Sequence, residues 1–218
     1  MELTKEQIKK IDNRLKRKGI NYWDLRIEMV DHIVSDIEEN ATSNDFKVAL
    51  EKSLDKLGWR GSLHKQNQEG WQNVNRKYRR EYAKEILHFI KSIKNMSTFI
   101  FFSFVYYLIS KHLNFDDFKK LSLAMFLVPL VIFLFLTTKQ LMKKYGKSVN
   151  VDYGMFYFLF PFLMINFPLQ LIKEFTEDFQ KISIIIIVSL FWVFSYIGYK
   201  VYRTAITVVE KMKKELTL

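Results

Sequence analysis

The sequence contains no cysteine. This absence excludes disulfide bonds, thiol nucleophiles and zinc or iron–sulfur sites built from cysteine. The first residues, MELTKEQIKKIDNRLKRK, contain no apolar core and are therefore not typical of a secretory signal peptide. The chain also lacks a glycine-rich phosphate loop, a nucleophile elbow and an HExxH motif. We therefore expect a protein that is not an enzyme and that binds no metal and no cofactor.

Charged residues are sparse in the second half of the chain. Residues 1–95 contain 20 Lys and Arg and 15 Asp and Glu, whereas residues 96–218 contain 14 and 8. The second half instead carries long runs of Phe, Ile and Leu. A polar half joined to an apolar half is typical of a cytoplasmic domain followed by a membrane domain. The patterning predicts an all-α protein, with a small three-helix cytoplasmic domain and a four-helix transmembrane bundle.

Three uncharged runs begin at residues 121, 153 and 182, and each is close to the roughly 20 residues that a bilayer span needs. A fourth run, MSTFIFFSFVYYLIS, is shorter, and Lys91 and Lys94 before it can extend toward lipid headgroups. We therefore expect a membrane domain over residues 96–218. Its predicted spans are about 96–112, 121–138, 153–172 and 182–202.

The short loops predict the orientation, because Lys and Arg prefer the cytoplasmic side. The loop between the second and third spans and the C-terminal tail are basic, whereas the loops before residues 121 and 182 carry net charges near zero. We therefore predict a multi-pass protein of the inner (cytoplasmic) membrane with both termini in the cytoplasm. The basic residues concerned are Lys139, Lys143, Lys144, Lys147, Lys211, Lys213 and Lys214.

Proline and asparagine are the notable residues inside the spans. Pro129 lies in the second span, and Pro161, Asn166 and Pro168 lie in the third. Such residues can mark a broken helix that lines a substrate path. They also occur in a kinked helix, in which the asparagine side-chain amide forms a hydrogen bond with a backbone carbonyl freed by proline or with a neighbouring span. We favour the kinked helix, because the three clear spans contain no acid, base or cation that would couple transport to an ion.

Residues 1–72 are predicted to form the cytoplasmic helical domain, and residues 73–95 a basic juxtamembrane helix. We expect the stretch GWRGSLHKQNQEGW to be a loop, and the helix that starts near Asn75 to continue into the first span. Start and stop signals define the three short helices: caps at Thr4, Asn21 and Asp45, and stops at Gly19 and Gly58.

The second helix, YWDLRIEMVDHIVSDIEE, carries a dense set of acids. On a helical wheel its apolar residues form one seam, the acids gather on a flank of that seam, and His32 lies opposite, toward solvent. We expect the flank to face the basic first helix or to bind a partner protein. The predicted seam is Trp23, Ile27, Val30, Val34 and Ile37, and the candidate partner-binding residues are Asp24, Glu28, Asp31, His32 and Glu38.

Metal binding is an alternative for this helix. Glu28, His32 and Asp36 have the spacing of ligands on consecutive turns. A zinc site needs further protein ligands, and nothing in the spacing recruits His64 or His88. Acid–base catalysis by the same carboxylates lacks any accompanying motif.

The stretches DLRIEMVDHIVSDIEE and DFKVALEKSLDKLG, followed by membrane spans, resemble the HAAS-type module over roughly residues 4–65. That family is a small three-helix cytoplasmic domain fused to membrane segments in bacterial signalling proteins, often linked to PadR-type transcription regulators. The resemblance implies a signalling role, a transcription regulator among the candidate partners, and no catalytic residues.

A basic cluster precedes the first span. Because such clusters lie on anionic headgroups, we expect this one to contact anionic phospholipid. An acidic partner surface or nucleic acid is an alternative, and nucleic acid is the least favoured. The predicted membrane-surface residues are Trp59, Trp71, Arg76, Lys77, Arg79, Arg80 and Lys84.

Together these features predict a regulator, adaptor or accessory subunit of the inner membrane. Its cytoplasmic domain would bind another membrane or cytoplasmic protein, or a second copy of the chain. The alternative is a small transporter or lipid-handling protein that uses the kinked third span.

Overall fold

The computed structural model of the protein describes residues 2–41, 43–142 and 145–216 and is all-helical, with no strand among them. The first four helices are α1 (Lys5–Arg17), α2 (Trp23–Asn40), α3 (Phe46–Lys56) and α4 (His64–Lys91). They are followed by α5 (Ile93–His112), α6 (Phe115–Met142), α7 (Val149–Leu171), a 3-10 turn (Ile172–Glu174) and α8 (Glu177–Leu216).

The chain divides into two compact units. Unit 1 comprises Met1–Asn75, Tyr145–Asn150 and Val209–Leu218, and unit 2 comprises Arg76–Lys144 and Val151–Val208. Unit 1 therefore includes two short segments that the sequence assigns to the membrane domain, the start of α7 and the end of α8. Lys143 and Lys144, which contributed to the predicted orientation, lie outside the described residues.

The helix signals of unit 1 are mostly confirmed. Thr4 and Gln7 form a capping box, and Asp45 accepts a hydrogen bond from the Lys47 backbone. Gly19 and Gly58 adopt positive φ angles of 94° and 70° after α1 and α3, a conformation that glycine adopts without strain. The predicted cap at Asn21 is wrong, because Tyr22 occupies that position and makes no side-chain cap. The backbone amide of Trp23, the first residue of α2, donates to the Lys147 carbonyl at 3.1 Å. A segment of unit 1 that is distant in the sequence therefore provides the hydrogen-bond acceptor at the start of α2.

The core of unit 1 is aliphatic. Helix α2 contributes Leu25, Met29, Ile33 and Ile37, each at most 5% exposed, which differs from the predicted seam except at Ile37. These side chains pack with Ile11 and Leu15 of α1 and Leu50 and Leu54 of α3. Helix α2 thus carries two apolar stripes, and periodicity alone did not indicate which stripe is buried.

Two further predictions for the middle of the chain are wrong. The predicted loop GWRGSLHKQNQEGW is helical from His64, because Gly70 serves packing rather than a turn: a Cβ there would lie 2.5 Å from a methyl carbon of Leu25. The basic helix also does not continue into the next one. Helix α4 ends at Lys91, and the Ser92 hydroxyl accepts from the Asn95 amide to cap α5.

Three helices are long and apolar enough to cross a membrane: Phe115–Gln140, Val149–Glu174 and Glu177–Glu215. They correspond to the second, third and fourth predicted spans. The first predicted span, residues 96–112, lies in α5 and is not among these helices, so it remains a prediction.

Unit 2 packs around α8. The apolar window of α8 is 44% buried, whereas the corresponding windows of α6 and α7 are 17% buried. Gly154 and Gly198 permit close approach of α7 and α8, because a Cβ at Gly198 would lie 2.6 Å from the Tyr157 carbonyl oxygen and one at Gly154 would lie 2.6 Å from Ala205 Cβ. Small residues at helix contacts are characteristic of membrane bundles.

Candidate partner-binding groove

Asp24 is buried and does not belong to an exposed acidic flank. Asp24 is 1% exposed. Its carboxylate accepts hydrogen bonds from the Ser148 hydroxyl at 2.6 Å and the Asn150 side-chain amide at 2.8 Å. The backbone amides of Val149 and Asn150 donate to the same carboxylate at 3.1 and 3.0 Å. The first amides of a helix have no intrahelical acceptor and lie at the positive end of its dipole, so a carboxylate stabilises this position. Asp24 therefore caps α7 within unit 1, and the prediction that it binds a partner is corrected.

A second set of contacts joins the other short segments of unit 1 to α2. The Tyr145 hydroxyl donates to Glu210 at 2.6 Å, and Lys213 Nζ lies 5.2 Å from the ring centre of Tyr145 and 5.6 Å from that of Trp23. Gly146 adopts a φ angle of 75° beside Trp23. The 145–150 segment and the 209–216 segment are thus integral parts of unit 1.

The predicted seam of α2 lines a groove on the surface of unit 1. Four of its five residues, Trp23, Ile27, Val30 and Val34, are half-buried, and their side chains form an apolar floor with Ile8 of α1. The groove has a volume of about 520 Å³. We call it the α1–α2 groove; its lining is Ile8, Asp12, Trp23, Arg26, Ile27, Val30, Asp31, Val34, Tyr145 and Lys213.

The rim of the α1–α2 groove is charged. Arg26 Nε donates to Asp12 at 2.7 Å, and its terminal nitrogen donates to the Ile20 carbonyl at 3.0 Å, so the guanidinium is held in place. Asp31, another lining residue, is exposed. An apolar floor with a charged rim is the general form of a protein-binding surface.

The remaining residues of the predicted acidic flank are dispersed. Glu28 is exposed, and Glu38 accepts a hydrogen bond from the Leu3 amide at 3.2 Å. His32 is exposed, as predicted, and its ring lies 6.4 Å from that of Trp59 in an edge arrangement. Among the described residues no group of three or more His, Cys, Asp and Glu side chains is placed to hold a metal ion.

The ion pairs between α1, α2 and α3 join other residues than those predicted. Arg14 of α1 pairs with Glu51 of α3 at 2.5 Å, and Lys56 of α3 pairs with Asp36 of α2 at 2.5 Å. The hydrogen bond from Arg14 lowers the pKa of Glu51. Burial raises the pKa of Asp36, but the hydrogen bond and charge of Lys56 help to outweigh it, and the pKa is lowered overall.

The predicted membrane-surface residues fall into two groups. The five cations of α4, Arg76, Lys77, Arg79, Arg80 and Lys84, are exposed, while Tyr78 and Tyr82 of the same helix are buried. Burial also raises the pKa of the Tyr82 phenol. The two tryptophans have contacts inside unit 1 instead. Trp59 packs against the aliphatic core, and Trp71, 38% exposed, makes an edge contact with Tyr22 at 5.2 Å.

The polar group of the third predicted span is satisfied by its own helix. The Asn166 side-chain amide donates to the Phe162 carbonyl at 2.9 Å, and Asn166 is exposed on α7. Pro161 and Pro168 lie inside the same helix, and Pro129 lies inside α6. A kinked helix is expected to have this kind of hydrogen bond, from the asparagine side-chain amide to a backbone carbonyl.

Sequence reasoning missed Ser148, Asn150 and Tyr145, and it used Lys213 only to predict the orientation. Ser148 does precede the helix that begins at Val149, which is a recognisable start signal. Nothing in the sequence links that position with Asp24, more than 100 residues away. No protein-family model, curated protein or solved structure matches the chain.

Proposed function

We propose that this protein is a multi-pass membrane protein that acts as a regulator, adaptor or accessory subunit by docking another protein in the α1–α2 groove. The observation that carries the proposal is the half-buried apolar floor of that groove, which forms part of the surface of unit 1. Helix α2 already has a complete buried stripe, and its second stripe stays half-buried although Val30 and Val34 also pack against the core. An apolar stripe left at the surface of a polar unit is characteristic of an interaction site.

The groove suits an amphipathic helix of the partner. The floor residues recur at helical spacing along α2, so a second helix can lay apolar side chains along them. The exposed Asp31 carboxylate on the rim favours a partner that presents Lys or Arg beside its apolar stripe. The resemblance to HAAS-type modules makes a transcription regulator one candidate; a membrane protein or a second copy of this chain are others.

We further propose a four-span topology with both termini in the cytoplasm. In this topology the compact unit that contains residues 1–75, 145–150 and 209–218 lies on one side of the membrane. If α6, α7 and α8 each cross once, the chain must also cross between residue 75 and α6, because unit 1 precedes that segment. Helix α5 is the candidate for this crossing, and it exposes Ile100, Phe101 and Phe104 by 55–69%.

The basic residues around this unit support its placement at the cytoplasmic face of the inner membrane. Lys147, Lys211 and Lys213 belong to unit 1 segments that directly adjoin predicted spans. The exposed cations of α4 suit contact with anionic phospholipid at the same face.

Site-specific photo-crosslinking tests the docking proposal. A photoreactive amino acid at Ile27, on the groove floor, is compared with one at Val48, an exposed apolar residue of α3 that does not line the groove. We expect one protein to be crosslinked from position 27 in cells and not from position 48.

A charge on the groove floor provides the matching perturbation. Ile27→Glu places an unpaired carboxylate in the interface and should weaken co-purification of that protein about tenfold or more, whereas Val48→Glu should leave it unchanged. The docking proposal fails if both positions crosslink the same set of proteins. It also fails if Ile27→Glu does not weaken co-purification of the protein that is crosslinked from position 27.

A further inference from the structure

The two helices that form the α1–α2 groove carry opposite charge. Helix α1 contains six Lys and Arg and two Asp and Glu, whereas α2 contains one Arg and six Asp and Glu. The charges of residues 1–75 balance at 13 of each sign, although the whole chain has a net charge of +11. No net charge of this part of the chain therefore opposes its association with a second copy.

Lysines border the groove on the α1 side. Lys5 lies one helical turn from the lining residue Ile8, and Lys9 and Lys16 each lie one turn from the lining residue Asp12. All three lysines are exposed, and none of them forms an ion pair with another residue that the structure describes. Helix α1 therefore presents an apolar side chain with unpaired cations beside it.

The border on the α2 side is acidic. Residues of a helix are about 100° apart around its axis, so the groove floor lies between Arg26, which is paired with Asp12 of α1, and Asp31. Asp31 thus borders the floor on the side away from α1. Its carboxylate is exposed and forms no ion pair within the described ranges. This border attracts the kind of surface that α1 presents.

Two hydrogen bonds set the levels of α1 and α2 relative to each other. The Leu3 amide, just before α1, donates to Glu38 near the end of α2, and Arg26 near the start of α2 donates to Asp12. The two helices are therefore antiparallel, with the first turn of α1 beside the last turns of α2.

We propose that the α1–α2 groove binds the same groove of a second copy of this chain. In the antiparallel register, Lys9 and Asp31 lie at about the same level on the two borders. A twofold axis parallel to the helices keeps that level and lays α1 of each copy over α2 of the other, so each Lys9 meets an Asp31. The floor residues Ile27, Val30 and Val34 are covered by the same contact. An axis that laid α1 over α1 would instead bring lysines together.

Förster transfer between labelled copies of the full-length protein in detergent micelles tests this self-association. The labels are attached through Lys47→Cys, at an exposed position of α3. Lys9→Glu and Asp31→Lys should each weaken association about tenfold, because each places like charges opposite each other at two symmetric sites. An equimolar mixture of the two variants should associate like the original protein, because the two altered side chains then form a pair of opposite charge.

Lys10→Glu and Glu39→Lys are the matched controls. They make the same changes of charge at exposed positions of α1 and α2 that do not line the groove, and each variant should associate like the original protein. Substitutions at exposed positions such as these have little effect on folding.

Self-association through this groove rests on the docking proposal, and the two can fail separately. Three results would overturn the second copy as the occupant: no concentration-dependent transfer, a mixture that associates no better than its two components, or transfer that Ile27→Glu leaves unchanged. If position 27 then crosslinks a different protein in cells, the docking proposal stands without self-association. If position 27 crosslinks no protein that position 48 does not, both proposals fail.

Discussion

The two units of this protein differ in where their large apolar residues lie. In unit 1 the aliphatic residues Ile11, Ile33 and Leu54 are at most 1% exposed. In unit 2 large apolar residues stand on the outside, with Phe101 and Phe135 each 69% exposed. Unit 1 therefore has the apolar interior of a protein that folds in water, and unit 2 contains most of the three helices that are long and apolar enough to cross a membrane. Against this background, an apolar groove is exceptional on unit 1.

The units also differ in what fills their interiors. Unit 1 packs aliphatic side chains and joins its helices by ion pairs such as Asp12–Arg26. Unit 2 packs rings, as in the contacts of Phe126 and Phe162 with Phe191 at 5.1 and 4.9 Å. Lipid supplies no hydrophobic drive for helices to associate, so close geometric fit must do so in unit 2.

The largest expected effect is that of a core truncation in unit 1. Ile33→Ala removes a fully buried side chain and should lower the free energy of unfolding by roughly 2–5 kcal/mol. Ile132→Ala, at a 45% exposed position of unit 2, is the counterpart and should cost far less. Denaturant unfolding in detergent measures both, and equal losses would contradict the assignment of water and lipid as the two solvents.

Removing the Asp24 carboxylate should cost nearly as much. Asp24→Ala leaves the Ser148 hydroxyl and the Val149 and Asn150 amides without their acceptor, for a loss of roughly 3 kcal/mol. Asp31→Ala, at an exposed site of the same helix, should stay within about 0.5 kcal/mol of the original protein. The same unfolding assay compares the two, and a neutral Asp24→Ala would show that the cap of α7 is dispensable.

A glycine substitution tests the close packing in unit 2. Gly198→Ala brings a Cβ to 2.6 Å from the Tyr157 carbonyl oxygen and should cost roughly 1–3 kcal/mol through forced separation of α7 and α8. Gly61→Ala is the control in unit 1, since a Cβ there meets nothing within 4 Å. Thermal aggregation of the detergent-solubilised variants reports the difference. Similar midpoints for both variants would argue against tight contact of the two helices.

The smallest effect concerns acid stability of unit 1. Because Arg14 lowers the pKa of Glu51 below its ordinary 4.5, the pair stabilises the folded state above pH 4.5. That contribution is lost as the pH falls through the lowered pKa. Glu51 is 40% exposed, so it amounts to about 0–1 kcal/mol. Glu51→Gln should remove this part of the acid sensitivity, whereas Glu39→Gln should not; identical pH profiles of the two variants would refute the coupling.

The sequence predicted what depends on local chemistry. The caps at Thr4 and Asp45 and the uncharged runs that became α6, α7 and α8 follow from neighbouring residues alone. The errors arose where distant residues decide. Gly70 was interpreted as a turn residue, because its packing against Leu25 is a tertiary contact that the local sequence does not reveal. Asp24 was assigned to the surface, because the residues that donate hydrogen bonds to it, 148–150, are distant in the sequence. The α1–α2 groove was mistaken for the core seam because α2 has two apolar stripes.

Single-cysteine labelling tests most directly whether residues 1–75, 145–150 and 209–218 share one side of the membrane. The absence of native cysteine makes the background clean. Cysteines at Lys47, Lys147 and Lys211 are compared with cysteines at His112 and Thr176 in intact cells, using a membrane-impermeant maleimide. We expect labelling of only His112→Cys and Thr176→Cys in intact cells, and labelling of the other three after permeabilisation. Labelling of Lys147→Cys in intact cells, or protection of His112→Cys together with Lys47→Cys, would contradict this placement.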